Sequence, residues 1–326
     1  MKSICLVIPY FGQWPKCFNI YLETCRYNPA VDWLFFTDCN IPEGASQNIK
    51  FFKMQLNDFN VLASQKLGLK VNLKENFTYK LVDFKPAYGV IFEDYLRAYD
   101  FWGHSDIDVV YGDIRKFITD DMLETYDVIT AKKVYLVGHF TLYKNCDKMN
   151  RLYQKTADYK RVFHYTDRCY SFSECSKDWD NLLDGGSIFD KKPLRKNISH
   201  FVKCGINRMC ELLGRKSPFW VIREVESMTE CVKRLERKGC LKSFFETIEK
   251  SYDVELSISG DWKLCWQKGK LTLVYTGAEI MYFHLFWKVA RVEHFFIPDW
   301  HTIPEKFFIT KEGFFTEQED SEITKK

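Results

Sequence analysis

The sequence predicts an α/β fold with a mixed, mostly parallel sheet flanked by helices. Over the first third of the chain, short apolar runs alternate with helical patterns, which is typical of a doubly wound sheet. The first run, from Ile4 to Ile8, is continuously apolar and stops at Pro9, as in a strand buried on both faces. A hydrophobic content of 46% and a charged content of 28% in 326 residues fit an ordinary globular chain.

The later elements follow the same reasoning. Branched and aromatic runs predict further strands, and apolar residues at helical spacing predict helices. Pro86 is tolerated because it would lie in the first turn of its helix. We expect strands at 33–38, 51–54, 128–130 and 140–143, a hairpin from 262–266 and 271–275, and helices over 16–27, 57–70, 85–99 and 147–156.

The domain organisation is predicted to be one core with an extension. Residues 1–190 would form the core, and residues 191–316 would complete it and carry a helical and β extension. The tail, 317–326, is polar and is expected to be disordered.

Composition excludes several classes of protein. A net charge of +3 gives no global basic field, so nucleic acid is not an expected partner. No apolar run approaches the roughly 20 residues that span a bilayer. The first residues lack the apolar region of a signal peptide, and the 12 cysteines show no CxxC spacing, so we expect reduced thiols and a cytoplasmic protein.

Two Asp-x-Asp segments are present, and their surroundings differ. Asp178-Trp179-Asp180 lies in a polar stretch and is interpreted as a loop. Asp106-Ile107-Asp108 interrupts an apolar, strand-like segment, where carboxylates are costly unless they are hydrogen-bonded or bound to metal. A capping or hydrogen-bonding role is the alternative to a metal site.

The spacing of Asp106 and Asp108 suits a hard divalent cation. Mg²⁺ and Mn²⁺ take oxygen ligands, usually one or two carboxylates together with substrate phosphates and water. Such an ion neutralises a diphosphate leaving group as a bond to it breaks. The expected cofactor is therefore Mn²⁺ or Mg²⁺.

Four segments carry a resemblance to a known family: VIPYFG at 7–12, LFFTD at 34–38, DFKPAYG at 83–89 and YDFWGHSDIDVVYGD at 99–113. Together they resemble bacterial glycosyltransferases of the GT-A fold, which is related to the Rossmann fold. The nearest group comes from capsule and lipopolysaccharide gene clusters. The resemblance implies a nucleotide-sugar donor, with a UDP-sugar expected, and a saccharide or lipid-linked glycan acceptor in surface polysaccharide synthesis.

The same resemblance implies roles for individual residues. Tyr10, Phe11 and Gly12 would lie against the nucleotide base, Asp38 would meet the base or ribose, and Lys85 would approach the diphosphate or the donor sugar. Asp106 would serve both the metal and the nucleotide.

The resemblance also extends to the segment FHLFWK at 283–288. His284 would be the third metal ligand beside Asp106 and Asp108, and Lys288 would lie near the diphosphate. The glycine and proline that some families place around this histidine and lysine are absent here. A histidine satisfied within an apolar strand is the alternative, and His294 and His301 are competing ligands.

The acceptor side has weaker candidates. An inverting enzyme needs a carboxylate base to deprotonate the acceptor hydroxyl, whereas a retaining enzyme needs none there. Glu174 is the first candidate, because a Phe-Asp-Glu element of the bacterial group resembles 172–174, and Asp178 and Asp180 follow. Residues 138–140 are expected either in the acceptor wall or in a turn before a strand.

Residues 191–216 form a basic amphipathic segment, with eight Lys or Arg residues against one Glu. A helix packed on the sheet through its apolar stripe is the favoured interpretation. The alternative is peripheral contact with the inner face of an anionic membrane. The stripe consists of Ile198, Phe201, Val202, Met209, Leu212 and Leu213.

Two other classes of protein share some of these features. A nucleotidyltransferase also uses an α/β sheet, a lysine and acidic metal ligands, but it should show a Gly-rich basic loop after the first strand, and residues 9–15 do not form one. A non-catalytic carbohydrate-binding protein would account for the 17% aromatic content.

Overall fold

A computed structural model describes residues 1–174, 194–216, 218–219, 224–246, 250–251, 262–285 and 295–318. The strands are β1 (Ile4–Tyr10), β2 (Val31–Thr37), β3 (Ile49–Lys53), β4 (Phe101–Ser105), β5 (Val109–Tyr111), β6 (Val128–Thr130), β7 (Phe140–Lys144), β8 (Ser243–Phe245), β9 (Lys250–Ser251), β10 (Leu264–Gln267), β11 (Lys270–Leu273), β12 (Tyr282–His284), β13 (Lys306–Thr310) and β14 (Gly313–Phe315).

The α-helices are α1 (Phe18–Arg26), α2 (Leu56–Leu67), α3 (Tyr88–Ile91), α4 (Glu93–Leu96), α5 (Ile114–Phe117), α6 (Asp120–Thr125), α7 (Asp147–Asn150), α8 (Tyr159–His164), α9 (Leu194–Leu212) and α10 (Met228–Arg237). Two 3₁₀ helices cover Glu75–Ala87 and Leu152–Lys155.

The main sheet has the strand order β3-β2-β1-β4-β7-β6-β8. Strands β3, β2, β1 and β4 run parallel, β7 is antiparallel to both of its neighbours, and β8 pairs parallel with β6. Helices pack on both faces. The predicted mixed, mostly parallel sheet with flanking helices is therefore confirmed.

Strand β1 packs against an apolar cluster on each face of the sheet. Successive side chains of a strand point to opposite faces. Cys5 and Val7 belong to the apolar cluster on one face, whereas Leu6 and Ile8 belong to the cluster on the other. A strand that faces two cores has to be apolar throughout, as the first run of the sequence is.

Two predicted helices are wrong in detail. The helix expected over 85–99 is the end of the first 3₁₀ helix followed by α3 and α4, which are separated at Phe92 (φ −107°, ψ 21°). Phe92 is fully buried and stacks on Phe36 at 4.2 Å, so core packing breaks the helix. The helix expected over 147–156 likewise breaks at Arg151 into α7 and the second 3₁₀ helix.

Two smaller sheets complete the described fold. Strand β12 pairs antiparallel with β5 in one of them, in the order β5-β12-β9. The predicted hairpin is confirmed as β10 and β11, within a sheet of order β11-β10-β13-β14. None of the helices in the described ranges is both long enough and apolar enough to cross a bilayer.

Helix α9 contradicts the favoured interpretation of the basic segment, because its apolar stripe faces outward. Phe201 is 73% exposed and Leu212 is 70% exposed. The inward side is polar: Asn207 donates to the Phe219 carbonyl at 3.0 Å, and Glu211 forms an ion pair with Arg161 at 2.8 Å. These polar contacts hold the described part of the helix to the body.

The predicted domain boundary near residue 190 falls in the range 175–193, outside the described residues. The division therefore stays a prediction. Residues 319–326 of the predicted tail also lie outside the described residues.

Candidate functional site

The Asp106-Ile107-Asp108 segment forms the connection between β4 in the main sheet and β5 in the smaller one. The prediction that carboxylates interrupt a strand here is confirmed. Parallel strands β1, β2 and β4 end at the same edge of the sheet, so Gly12, Asp38 and Asp106, which follow them, lie along one edge. In open α/β sheets, ligands bind outside the carboxyl ends of the strands.

His139 reaches this edge through strand pairing. Strands β4 and β7 are antiparallel, with Ser105 opposite Phe140, and the next residues along are Asp106 and His139. The backbone N–H of Asp106 donates to the His139 carbonyl at 3.4 Å, which continues the ladder by one bond. The pairing brings together two residues that are 33 positions apart in the sequence.

His284 comes from the other sheet. It pairs with Val109 in the antiparallel β5–β12 ladder, and the Leu285 N–H donates to the Asp108 carbonyl at 2.8 Å. Side chains alternate along β12. Phe283 therefore packs in the third apolar cluster, whereas His284 points the other way, toward His139.

These segments form a cluster of potential metal ligands. One ligand atom each from Asp106, His139 and His284 lie within 4.8 Å of one another. The two imidazole rings stack with centroids 4.0 Å apart and an interplanar angle of 21°. Asp108 lies at the margin, with Oδ1 3.5 Å from His284 Nε2.

Lys85 is held inside this cluster. Its Nζ donates to Asp106 Oδ1 and, at 2.9 Å, to the Gly138 carbonyl, and its side chain is 8% exposed. Burial opposes the ionisation of Asp106, but the charges of Lys85 and His284 outweigh burial and lower the pKa of this carboxyl below its usual range. Asp106 is therefore an anion at neutral pH.

The Gly138 peptide forms hydrogen bonds with several side chains of the site. Its carbonyl accepts from Lys85 and, at 2.8 Å, from His104 Nδ1, so the proton of the neutral imidazole resides on Nδ1. Burial, followed by the charge of Lys85, lowers the pKa of His104 to about 3. The Gly138 N–H donates to Glu174 Oε1 at 2.7 Å. The candidate base Glu174 therefore lies one peptide away from Lys85.

Hydrogen bonds to the buried carboxylate of Asp83 hold the loop that carries Glu174. The carboxylate of Asp83 accepts from the N–H groups of Tyr170 and Phe172 at 2.8 and 2.9 Å and pairs with Lys80 at 2.7 Å. Both side chains of this ion pair are fully buried. Asp83 belongs to one of the four resembling segments, but nothing in its local sequence indicates that it supports this loop.

The loop after β1 has a definite shape. Gly12 adopts φ +110°, which favours glycine, and its N–H donates to Asp38 Oδ1 at 2.8 Å. Tyr10 is half-buried and stacks on Trp14 with centroids 5.1 Å apart. The ring of Phe11 is buried against Phe59, so it belongs to the core and is not presented to a ligand.

The other candidates do not join this cluster in the described chain. Asp178, Asp180, Lys288 and His294 lie outside the described residues. His301 is exposed and is not a member of the ligand cluster. His139 is predicted from the sequence in the acceptor wall or in a turn before a strand, not as a metal ligand, and His104 is not predicted as a site residue. Position 139, just before a strand, was the only local signal for His139, because its partner is set by long-range pairing.

The donor set fits a divalent cation. One carboxylate with two imidazoles is a set of ligands that divalent metal ions use in proteins.

Comparison with known proteins places the chain in a family. It belongs to DUF6625, a family of unknown function, which matches residues 6–200. No curated protein matches the chain significantly.

Two solved glycosyltransferases show a distant likeness. The galactosyltransferase LgtC, in complex with donor and acceptor sugar analogues, is 12% identical over 48% of this chain with a TM-score of 0.30, and the chain spans 65% of its length. The apo form of glycosyltransferase GlyE from Streptococcus pneumoniae TIGR4 is 12% identical over 77% of this chain and 68% of its own, with a TM-score of 0.29. A likeness at such scores says nothing about the activity of this chain.

Proposed function

We propose that the protein is a metal-dependent glycosyltransferase of GT-A type. It would transfer a sugar from a nucleotide-diphosphate donor, with a UDP-sugar as the expected donor, to a saccharide or lipid-linked acceptor. One observation carries the proposal: Asp106, His139 and His284 converge within 4.8 Å at the carboxyl edge of a parallel sheet, with a buried lysine on the carboxylate.

The metal would be held by Asp106, His139 and His284, with Asp108 at the margin. The bound ion would supply Lewis-acid stabilisation of the nucleotide diphosphate as the bond to the sugar breaks. Asp106 is well suited to this role because its lowered pKa keeps it ionised in a half-buried position.

Lys85 would add a fixed positive charge beside the diphosphate. Its Nζ is held by Asp106 and the Gly138 carbonyl, so little reorganisation is needed when charge develops on the leaving group. Lys288 is proposed as a second cation for the same group, on the strength of the family resemblance alone.

The nucleotide would bind across the ends of β1 and β2. The half-buried ring of Tyr10 offers a flat surface for the base, and the hydrogen bond from Gly12 fixes Asp38 at the adjacent strand end. Phe11 would contribute its backbone only, because its ring is in the core.

The acceptor would approach from the side of Glu174. A groove of about 710 Å³ borders the Glu174 loop and is lined by aromatic rings and basic groups. Glu174 would act as the base if the sugar is transferred with inversion. The residues that line the groove include Tyr79, Phe77, Phe219, Ser171, Lys74 and Lys216.

A role in surface polysaccharide synthesis and a cytoplasmic location complete the proposal. Both come from the interpretation of the sequence. The experiments that identify the donor and the acceptor do not depend on this role or on this location.

The deciding experiment is a donor-hydrolysis screen across nucleotide sugars with Mn²⁺, together with calorimetry of UDP, GDP and CDP. Asp106→Asn should weaken Mn²⁺-dependent nucleotide binding at least about 100-fold, because a ligand is lost. Asp121→Asn, at an exposed position of α6, is the matched control and should bind like the parent. If none of the three nucleotides binds with Mn²⁺, the proposal is wrong.

Two further readouts separate the alternatives. A nucleotidyltransferase would release pyrophosphate from a nucleoside triphosphate, whereas this proposal requires release of a nucleoside diphosphate. A carbohydrate-binding protein would keep its glycan affinity in Asp106→Asn. His139→Ala and His284→Ala should each weaken Mn²⁺ binding, and a variant that does not would lose its assignment as a ligand.

A further inference from the structure

We propose that helix α9 docks on the surface of an anionic lipid bilayer. The helix and the residue that follows it present an apolar stripe to the outside of the molecule. Its members are between 55% and 73% exposed: Phe201, Val202, Met209, Leu212 and Leu213. Isolated exposed apolar residues need no explanation, but five of them on one side of one helix mark an interaction surface.

The stripe has the geometry of an interfacial helix. With about 100° between successive residues, its five members fall within an arc of about 120°. An arc of this width lets all five side chains enter a flat interface together. Helix α9 has 19 residues, so it can lie in the plane of a membrane surface.

The orientation of the helix is fixed by polar contacts on its other side. Glu211 is paired with Arg161 at 2.8 Å, and its side chain is only 4% exposed. Tyr170 also donates a hydrogen bond to Glu211, and Asn207 donates to Glu224 at 3.0 Å. Turning the apolar stripe inward would break these buried contacts, which is costly because a charge would be left unpaired.

Charge selects an anionic surface as the occupant. The segment 191–216 contains eight basic residues and one acidic residue, Glu211. Because Glu211 is buried and paired, the net charge that this segment offers to a partner is positive. Described basic groups at the exposed surface are Lys203, Arg208, Arg215 and Lys216. An apolar stripe flanked by cations fits acyl chains beneath anionic headgroups better than it fits a neutral bilayer.

The surface is continuous with the groove beside the candidate site. Gly214 and Lys216, just beyond the end of α9, line that groove together with Tyr79 and Ser171. A bilayer in contact with α9 would therefore lie at one end of the groove, where a lipid-linked acceptor could enter. Only this step rests on the proposed function, because membrane docking itself is independent of it.

Vesicle co-sedimentation of the full chain tests the proposal. Phosphatidylcholine vesicles with and without phosphatidylglycerol are compared at 0.1 M and 1 M NaCl. The apolar variant is Phe201→Ser with Met209→Ser and Leu212→Ser, and the charge variant is Lys203→Glu with Arg215→Glu, two exposed positions outside the groove. The matched control is Tyr275→Ser, which removes a ring that is 70% exposed elsewhere on the molecule.

Binding is expected only with phosphatidylglycerol, and it should weaken at high salt because the charges are screened. Each multiple variant should lower the affinity at least about tenfold, and the control should not. Equal binding to neutral vesicles, or no binding to either, overturns the proposal. So does a dimer in analytical ultracentrifugation that the apolar variant converts to monomer, because a second copy would then cover the stripe.

An assay of donor hydrolysis tests the proposed function separately from membrane docking. Hydrolysis of a soluble nucleotide sugar should be unchanged in both multiple variants. A protein that binds vesicles but hydrolyses no donor would refute the proposed function and leave the docking surface intact.

Discussion

Two lysine–aspartate pairs have their lysine in the same 3₁₀ helix, Glu75–Ala87, and they differ in the spacing of the partners and in the exposure of the carboxylate. In the sealed pair, Lys80 and Asp83 lie three positions apart, are both 0% exposed and are joined at 2.7 Å. In the open pair, Lys85 meets Asp106 from a distant loop, and the side chain of Asp106 is 34% exposed. One helix thus supplies both a structural and a candidate functional ion pair.

The difference lies in what surrounds the carboxylate. Asp83 accepts from Lys80 and from the backbone N–H groups of Tyr170 and Phe172, with the Cys169 thiol close by at 3.6 Å. Its oxygens are thereby satisfied. Asp106 instead faces potential metal ligands and the surface. A carboxylate enclosed by donors stabilises the fold, whereas one that remains accessible beside two imidazoles can bind a cation.

The sealed pair also stabilises the turn that places Glu174 near the open pair. Ser171 adopts φ +50°, which is unfavourable for a non-glycine residue, and the hydrogen bonds from its neighbours to Asp83 hold it there. The Glu174 N–H then donates to the Ser171 carbonyl at 3.1 Å. The turn that presents Glu174 to the site therefore depends on a buried carboxylate that lies outside the ligand cluster.

The largest expected effect is on stability. Asp83→Ala should lower the free energy of unfolding by about 3–5 kcal/mol, because Lys80 would be left as an unpaired buried charge. Chemical denaturation measures this change. The control is Asp94→Ala, an exposed residue paired with Lys66 and Arg97, which should unfold almost like the parent. Equal midpoints for the two variants would show that the sealed pair is not structural.

The second effect concerns activity. Lys85→Met should reduce donor hydrolysis about 100-fold, or about 2.7 kcal/mol in transition-state stabilisation, because a fixed cation beside the leaving group is removed. Affinity for Mn²⁺, measured by calorimetry, should not fall, since a positive neighbour of Asp106 is lost. Lys80→Met is the matched variant, and its expected loss is in stability. A Lys85→Met protein with normal turnover would contradict the assignment of the open pair.

A smaller effect is expected at Gly138, whose peptide is hydrogen-bonded to both Lys85 and Glu174. A Cβ at position 138 would lie 2.6 Å from Glu174 Oε1, so Gly138→Ala should displace that carboxylate. Because Oε1 is the end of a flexible side chain, thermal stability should change little, while turnover should fall about tenfold.

Gly205→Ala is the control for that substitution. Gly205 is in the middle of α9, and among the described residues no atom outside the adjacent helix backbone lies within 4 Å of a Cβ built there. This variant should be more stable by about 0.5–1 kcal/mol, because alanine favours the helix. Unchanged turnover in Gly138→Ala would remove Glu174 from the proposed chemistry.

The smallest expected effect is on the alkylation rate of Cys169, which depends on how well the sealed pair is shielded from solvent. Burial, and then the charge of Asp83, raise the pKa of the Cys169 thiol well above its usual range. Alkylation followed by mass spectrometry should show Cys169 reacting at least about tenfold more slowly than the exposed Cys146. Asp83→Asn should speed the reaction of Cys169 by about threefold without affecting Cys146. Equal rates for the two thiols in the parent would mean that the pair is not enclosed.

The sequence alone predicts much of this architecture. Ile4 to Ile8 reveals a strand with two buried faces because its alternation is missing, and Asp106-Ile107-Asp108 stands out because carboxylates interrupt an apolar run. The place of His284 in a ligand cluster was also anticipated, although only through a family resemblance. The first two inferences succeed because their signals are local, whereas the role of His284 as a metal ligand stays a prediction.

The errors have a common origin. The helix expected at 85–99 breaks at Phe92, because packing in the core outweighs local helical periodicity. The stripe of α9 was expected to face the sheet, since an apolar face predicts burial when its partners are unknown. The ion pair with Arg161, which fixes the opposite orientation, joins residues 50 positions apart.

The sequence by itself determined the α/β class, the central strand, and the carboxylates between β4 and β5, because strand and helix periods and the cost of burying charge are properties of short segments. Only the tertiary structure decided that His139 stands beside Asp106, that Asp83 is sealed while Asp106 is open, and that α9 turns its apolar stripe outward. Those outcomes depend on register and burial, which are set by pairings between residues distant in the chain.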